Sequence, residues 1–468
     1  MLELALKERM DAYRVLLQWK KDGSFIKESG LSPFAMELAL GVCRRHLYLR
    51  YFIKGLVKKE PSTEVSTVLE LGLFQMFFMD VPDHAAVATS VELSRAANLH
   101  EGSARLVNAV LHAARRSGPP ALPPQRIRRV SVENSVPEWL VRRWFDFYGG
   151  DRAEALAKST LERPAEWIRV NLQKASAPVV AQKLGLTGSS ILYDRYVQVP
   201  AGVKLKALLE SDSFAKGEFS LQNPSAYHVV RLLDLKPGLK IWDACAAPGG
   251  KSALMAEMDS SLEILASDLS PSRVLKMHDL VDRLGLSNVR VECIDALSPD
   301  AFVQKSNSES RTPNCTFASL KSQQPGSVMS VQARPQHSPE AVVRISNSES
   351  RTPNSEFDRI LLDVPCSNMG VIARRPESVY RLTPEAVREL SDLQYRLLES
   401  ASARLAPDGL LVYATCSPDP DETTKVVNRF VKAHPEFEKS GAAVLPGTED
   451  PRLDGFYAQA LRRKHENL

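Results

Sequence analysis

From about residue 216 onward, short apolar runs alternate with helical stretches, and this alternation restricts the fold more than anything else in the chain. Strands are expected at Leu239–Trp242, Glu263–Ala266, Val289–Ile294, Phe357–Val364 and Leu410–Ala414, with a helix over Pro384–Leu405 among the segments that separate them. Alternation of this kind builds βαβ units and a mostly parallel sheet. Right-handed crossovers then bring the carboxyl ends of the strands to one edge, where ligands bind in open α/β sheets.

The N-terminal part differs in kind. Ser32-Pro33 supplies a capping hydroxyl and a proline at a first helical position, and Phe34, Leu38, Val42, Leu49 and Ile53 form one apolar stripe. Helices are also expected over Thr63–Met79, Ala85–Ala97 and Ser103–Arg115, with no strand-like alternation between them. The run SGPPALPPQR at 117–126 holds four prolines, which cannot continue a helix and favour an extended spacer. Residues 131–215 are mixed, with a helical piece around Val136–Tyr148 and a strand at Glu166–Asn171; their patterning is too weak to assign a fold.

One segment breaks the rhythm of the α/β part. SNSESRTPN occurs at 306–314 and again at 346–354, with Ser-, Gln- and Pro-rich sequence between. Two copies do not make a solenoid, and residues 306–354 read as a disordered insert with duplicated flanks. A docking or regulatory loop is the functional alternative. The insert would enter at the amino-terminal end of the strands, away from the ligand edge.

A length of 468 residues suits two to four domains. Hydrophobic residues at 44% and charged residues at 25% exclude disorder throughout, a fibre or a disulfide mini-scaffold. The most apolar stretch, Leu69–Val81, is interrupted by Glu70, Gln75 and Asp80, so no membrane span is expected. MLELALKERM has no apolar core followed by a cleavage site, and a cytoplasmic location is expected. Residues 1–130 carry 19 Lys and Arg against 13 Asp and Glu, the remainder 41 against 43. A basic N-terminal part fits a polyanionic partner or a solvated helical face.

Six cysteines, at 43, 245, 293, 315, 366 and 416, form no C-x-x-C pair and lie near no His at zinc spacing, so no metal is expected. Their scatter points to reduced thiols. Two of them stand in loops where strands end. LLDVPCSNMG at 361–370 places Asp363 and Cys366 just past the fourth strand, and YATCS at 413–417 places Cys416 past the fifth. A reactive thiol needs access and thiolate character, which such loops provide; the alternative is a disulfide between them. DACAAPGGK at 243–251 joins a strand to a helix, and its small residues let a ligand approach the backbone and the helix N-terminus. Asp268 at the second strand end can accept ribose hydroxyls, and Asp295 after the third can hold the adenine end.

DACAAPGGK, DRILLDVPCS and VYATCS resemble the signature motifs of the RNA cytosine-C5 methyltransferases, and the whole chain outside 306–354 resembles their bacterial 16S rRNA subfamily, Sun/Fmu. The segments LSPFAMELALGVCRRHLYL, LELGLFQMFFMDVPDHAAV and RLVNAVLHAARR are similar to its NusB-like RNA-binding domain, and WIRVN, FSLQNPSA and DGFYAQALRRK match in kind. The resemblance implies a multidomain chain: an all-α NusB-like domain at 1–116, a Pro-rich linker at 117–130, a small mixed α/β middle domain at 131–215, and a Rossmann-like class I methyltransferase domain at 216–468. It implies S-adenosylmethionine as cofactor, bound by Cys245, Ala246, Ala247, Pro248, Gly249, Gly250 and Lys251 with Asp268, Asp295 and Asp363. It implies Cys416 as the nucleophile, Cys366 as the residue assisting product release, and Asp363 as the partner of the cytosine N3/N4 edge.

Arg273 matches a basic family position, and Arg374 and Arg375 are placed to meet RNA phosphates. The expected partner is 16S rRNA or a pre-ribosomal particle, with no membrane, and the chain is expected to be a monomer. Two departures stand out. Gln222-Asn223-Pro224-Ser225-Ala226-Tyr227 replaces the usual Gln-Asp-x-Ala-Ser-Gln, and Asn368 stands where the cysteine loop ordinarily has Gly or Ala. Methylation of tRNA or another RNA would use the same chemistry. A non-catalytic RNA-binding or assembly factor is a different class, against which the intact Cys366, Cys416 and cofactor loop argue.

Overall fold

The computed structural model describes residues 2–24, 26, 30–298, 357–445 and 452–464. The insert read at 306–354 lies outside them. The chain divides into two compact units, residues 1–164 with 371–384, and residues 165–370 with 385–468.

The first unit is helical: α1 (Leu2–Asp22), α2 (Pro33–Arg44), α3 (His46–Leu56), α4 (Thr63–Phe78), α5 (Asp83–Ala96), α6 (Glu101–Ser117), α7 (Arg126–Asn134), α8 (Glu138–Tyr148) and α9 (Gly150–Ser159). Ser32 caps α2 by accepting the Ala35 amide at 3.3 Å, with Pro33 at the first helical position. Leu38, Val42, Leu49 and Ile53 of the expected stripe are buried in a core shared with Leu16, Val68, Leu71 and Leu111, and Phe34 packs against it. Leu69–Val81 is therefore greasy because α4 is buried nearly all round. The proline run ends α6 and precedes α7, yet it does not end the unit, which continues to Pro164.

A second stretch of chain completes this unit. Residues 371–384, which follow the Cys366 loop in sequence, count with the helices. The Tyr380 hydroxyl donates to Ser135 O at 2.8 Å, its ring meets Trp19 edge-on, and Arg44 donates to Ala373 O at 3.2 Å. Arg374 and Arg375 lie in this segment, so they belong to the helical unit and not to the thiol loop.

The second unit holds two sheets. Its smaller sheet is built from β1 (Glu166–Val170), β2 (Ile191–Leu192), β3 (Tyr196–Val199) and β4 (Phe219–Leu221), all antiparallel in the order β2-β3-β1-β4, with α10 (Ala177–Lys183), α11 (Leu205–Leu209) and α12 (Asp212–Ala215) between strands. The larger sheet begins after α13 (Ser225–Arg231): β5 (Lys240–Asp243), α14 (Gly250–Met258), β6 (Glu263–Asp268), α15 (Pro271–Leu284), β7 (Val289–Cys293), β8 (Phe357–Asp363), α16 (Pro384–Ser402), β9 (Leu405–Thr415), α17 (Thr424–Ala433), β10 (Phe437–Val444) and β11 (Tyr457–Arg463). Its order is β10-β11-β9-β8-β5-β6-β7; β5 to β9 are parallel and the β10–β11 hairpin adds antiparallel.

Apolar cores cover both faces of the large sheet, one around Val229, Leu254 and Met277, the other around Trp242, Leu398 and Phe430. The order reverses beside β5, which leaves a crevice at the carboxyl ends of β5 and its neighbours. The expected parallel sheet is present, and the middle segment that the pattern left unassigned is an antiparallel sheet. No helix among the described residues is long and apolar enough to cross a membrane.

Candidate active site

β5 ends at Asp243, and the chain turns through 244–249 before α14 starts at Gly250. Gly249 caps that helix at φ +95°, a conformation closed to most side chains. Ala246 N donates to Ser267 O at 2.8 Å and Gly249 N to Ala246 O at 2.7 Å, which folds the loop back on β6. The Ala247–Pro248 peptide is cis. Asp243 is buried: Ser252 donates to its Oδ2 at 2.6 Å, Oδ1 has no protein partner, and burial pushes its pKa up to about 7. Burial likewise pushes the Cys245 thiol up, so it remains a protonated packing group beside the loop.

Asp268 ends β6 and accepts the Ser270 amide at 3.0 Å. Arg273, in the first turn of α15, donates to Ala247 O at 2.8 Å and lies 3.3 Å from Asp268 Oδ2, so one guanidinium ties the loop to the carboxylate. Asp295 follows β7 and accepts the Leu297 amide at 3.0 Å. A glycine-rich loop, a helix start and two carboxylates on neighbouring strand ends are groups suited to holding a cofactor that carries ribose and a cationic group.

Across from the loop, Asp363 ends β8 and pairs with Lys251 Nζ at 2.5 Å. Burial alone would lower the Lys251 pKa; Asp363 more than offsets this and leaves it raised, so Lys251 is an ammonium. The two thiols meet here: Cys366 Sγ and Cys416 Sγ are 3.0 Å apart, and Cys416 Sγ lies 3.1 Å from Asn368 Oδ1. The contact with Cys366, then burial and the charge of Asp363, hold the Cys416 thiol well above its ordinary pKa, with Lys251 opposing. The resting group is a thiol.

Local geometry accounts for Asn368 in the cysteine loop and for Asn223 in the 222–227 stretch. Asn368 sits at φ +59°, the left-handed region that Gly enters freely and Asn tolerates, and its side chain then reaches Cys416. Gly370 N donates to Cys416 O at 2.8 Å; a Cβ there would fall 2.1 Å from Gly455 O and 2.7 Å from Cys416 O. Asn223 accepts the Ser225 amide at 3.0 Å and the Asp454 amide at 3.1 Å through Oδ1, bonds that an aspartate oxygen would also make.

The structure thus brings Cys245–Lys251, Asp268, Asp295, Asp363, Cys366 and Cys416 to one sheet edge. It adds residues that pattern alone did not single out. Arg169, in the WIRVN stretch, is buried in a two-bond pair with Glu257, at 2.6 and 3.0 Å, and its NH1 donates to Gln222 Oε1 at 2.6 Å and Gly250 O at 2.7 Å. The small sheet is thereby fastened to the helix that carries the glycine loop. Among the described residues, no group of three or more His, Cys, Asp or Glu could hold a metal ion.

Comparison with known proteins gives three family matches. The 16S rRNA methyltransferase RsmB/F model matches residues 230–311 and 326–456, the NusB family model residues 7–116, and the ferredoxin-like domain of RsmF/B-like methyltransferases residues 136–209. A Bacillus subtilis protein named as a probable ribosomal RNA small subunit methyltransferase B is 30% identical over 99% of this chain and 98% of its own length. Among solved structures, PH0851 superposes with a TM-score of 0.69 at 21% identity, covering 93% of this chain and 92% of that one. A methyltransferase homologue from Pyrococcus horikoshii superposes with a TM-score of 0.53 at 21% identity, covering 73% of this chain and all of that one. These two likenesses speak to the fold.

Proposed function

The chain belongs to the 16S rRNA methyltransferase RsmB/F family, and from that premise we propose that it methylates C5 of a specific cytosine in 16S ribosomal RNA. The observation that carries this reading is the 3.0 Å approach of the Cys366 and Cys416 thiols beside Asp363 and the glycine loop. One thiol at a strand end is compatible with many reactions. Two, at adjacent strand ends, suit a reaction in which one adds to the base and the other helps to release it.

C5 of cytosine is a weak nucleophile while the ring is conjugated. Cys416 Sγ bonds to C6 as its proton passes to the Asp363 carboxylate, and the C5–C6 π pair shifts towards C4, leaving C5 an enamine carbon. Asp363 faces the N3/N4 edge of the base and hands that proton on to N3, so that the charge arriving on the ring is neutralised. Once C5 carries the methyl, its proton passes to solvent with Cys366 assisting; the C5–H pair re-forms the C5–C6 double bond and expels Cys416 as a thiolate, which takes back the N3 proton by way of Asp363. S-adenosylmethionine, when bound, supplies a methyl on an electrophilic sulfonium. The 245–251 loop would lie along it, Asp268 would take the ribose hydroxyls, and Asp295 the adenine end. Asp363 and Lys251 close the other side, and Arg273 keeps Asp268 and the loop together.

The base must leave its stack to reach Cys416, so the substrate is an exposed strand of 16S rRNA or a pre-ribosomal particle in the cytoplasm. The basic residues of the N-terminal part suit that polyanion. The test is incubation with 16S rRNA and methyl-labelled S-adenosylmethionine, followed by digestion to nucleosides. Label is expected in 5-methylcytidine from one position. Label in another nucleoside, or in transfer RNA alone, would reject the assignment.

A further inference from the structure

Cys366 and Cys416 are 50 residues apart in sequence and sit on separate loops, so a reaction that needs both at one base needs the loops held in register. Neither thiol does this itself. The residues that follow them do: Ser367 and Ser417 both turn towards Glu422, which is fully buried. Its Oε1 accepts from the Ser367 amide at 2.8 Å and from Gln394 Nε2 at 3.0 Å. Its Oε2 accepts from Ser417 Oγ at 2.6 Å and from Ser367 Oγ. Gln394 also donates to Pro365 O at 3.0 Å, and the Tyr413 hydroxyl lies 2.6 Å from Glu422 O. Four donors from the two thiol loops and α16 therefore converge on one carboxylate, the only kind of side chain with enough acceptor sites to receive them all.

We propose that Glu422 is a positioning residue that sets the separation of the two thiols by binding Ser367 on one loop and Ser417 on the other. It acts through the cysteines and takes no proton from the base. The proposal rests on the roles given to Cys366 and Cys416 above. It also carries a geometric consequence independent of methylation: the pair should close to a disulfide rapidly under a thiol oxidant while the clamp is intact, and slowly once it is cut.

A glutamine in this place separates positioning from proton transfer. Its carbonyl can still accept from the Ser367 amide and Gln394, and its amide can donate to the two serine hydroxyls, which rotate to accept. Glu422→Ala, Glu422→Gln and Ser417→Ala in the full chain would be compared for kcat and KM with 16S rRNA, for S-adenosylmethionine affinity, and for the rate at which diamide links Cys366 to Cys416. For Glu422→Ala we expect kcat to fall about 100-fold, the effect of misplacing a reacting group by about 1 Å, with cofactor affinity unchanged and slower linkage. Ser417→Ala, which cuts a single strut and leaves the carboxylate three donors, should lose about tenfold in kcat. Glu422→Gln should recover most of both rates.

Normal linkage and normal kcat in Glu422→Ala would overturn the proposal, as would a Glu422→Gln protein that links normally but is inactive, since that marks a proton-transfer role. If Glu422→Ala does not fold, wild-type rates in Ser417→Ala overturn it equally. Should linkage respond as expected while neither the wild type nor any variant methylates RNA, the clamp stands and the catalytic reading fails.

Discussion

Arg169→Ala should damage this protein more than any surface substitution, and the structure sets the size of the effect. The Arg169 and Glu257 side chains are 0% and 1% exposed, and the guanidinium meets the carboxylate through Nε and NH2. Truncation leaves Glu257 as a buried charge without its cation, which costs about 3–5 kcal/mol. At about 2–4 °C per kcal/mol for a unit of this size, the midpoint should drop by roughly 10 °C. Urea denaturation followed by circular dichroism would measure the loss, and a double-mutant cycle would apportion it. Arg169→Met with Glu257→Leu should regain most of it, because an apolar pair of similar volume substitutes well for a buried ion pair. A residual of about 1 kcal/mol should persist, since Gln222 Oε1 and Gly250 O lose the NH1 donor. Below its midpoint, the single variant should also bind S-adenosylmethionine more weakly, because Gly250 opens the helix behind the loop. A single variant within 1 kcal/mol of wild type would refute the reasoning.

Three further outcomes follow from particular residues. Gly370→Ala should fold yet lose methyl transfer, since its Cβ meets backbone at both Gly455 and Cys416, whereas Asn368→Gly should retain the loop; wild-type turnover in Gly370→Ala would contradict this. Asp243, raised by burial to about 7 from 3.8, contributes stability that is fully present below its unfolded pKa and lost as pH rises through about 7. Denaturation midpoints should therefore fall between pH 4 and 8, and Asp243→Asn should flatten that decline; an unchanged slope would show that another group is responsible. Replacing residues 306–354 by a short turn should leave methyl transfer intact, and an inactive but folded deletion protein would show that the insert is needed.

The sheet edge that carries the proposed chemistry was legible because its residues sit in short contiguous motifs at strand ends, where residue type and position speak together: Asp363 with Cys366, Cys416 after β9, Asp268 after β6. The five parallel strands of the large sheet were legible as continuous apolar runs, whereas the β10–β11 hairpin was not, since FEKSGAAV and YAQALRR mix charged and small residues. The middle sheet was not, because β2 has two residues and β4 three, too few to show a period. Contacts that join distant segments left no local trace. Arg169 and Glu257 are 88 positions apart, and each alone reads as a surface charge. Glu422 looks like one more acidic residue in PDPDE until Ser367, 55 positions earlier, is folded against it. Nothing in the proline-rich run indicates that the helical unit continues through α9 and takes in residues 371–384, since that depends on packing such as Tyr380 against Ser135 and Trp19.

The central claim is that Cys416 forms the bond to the base and Cys366 helps to break it. Cys366→Ala protein, incubated with S-adenosylmethionine and cellular RNA and run on a denaturing gel, tests it most directly. The account predicts a protein–RNA adduct that contains 16S rRNA and disappears when Cys416 is also replaced. A folded, cofactor-binding Cys366→Ala protein that traps no RNA, or an adduct that survives the loss of Cys416, would contradict it.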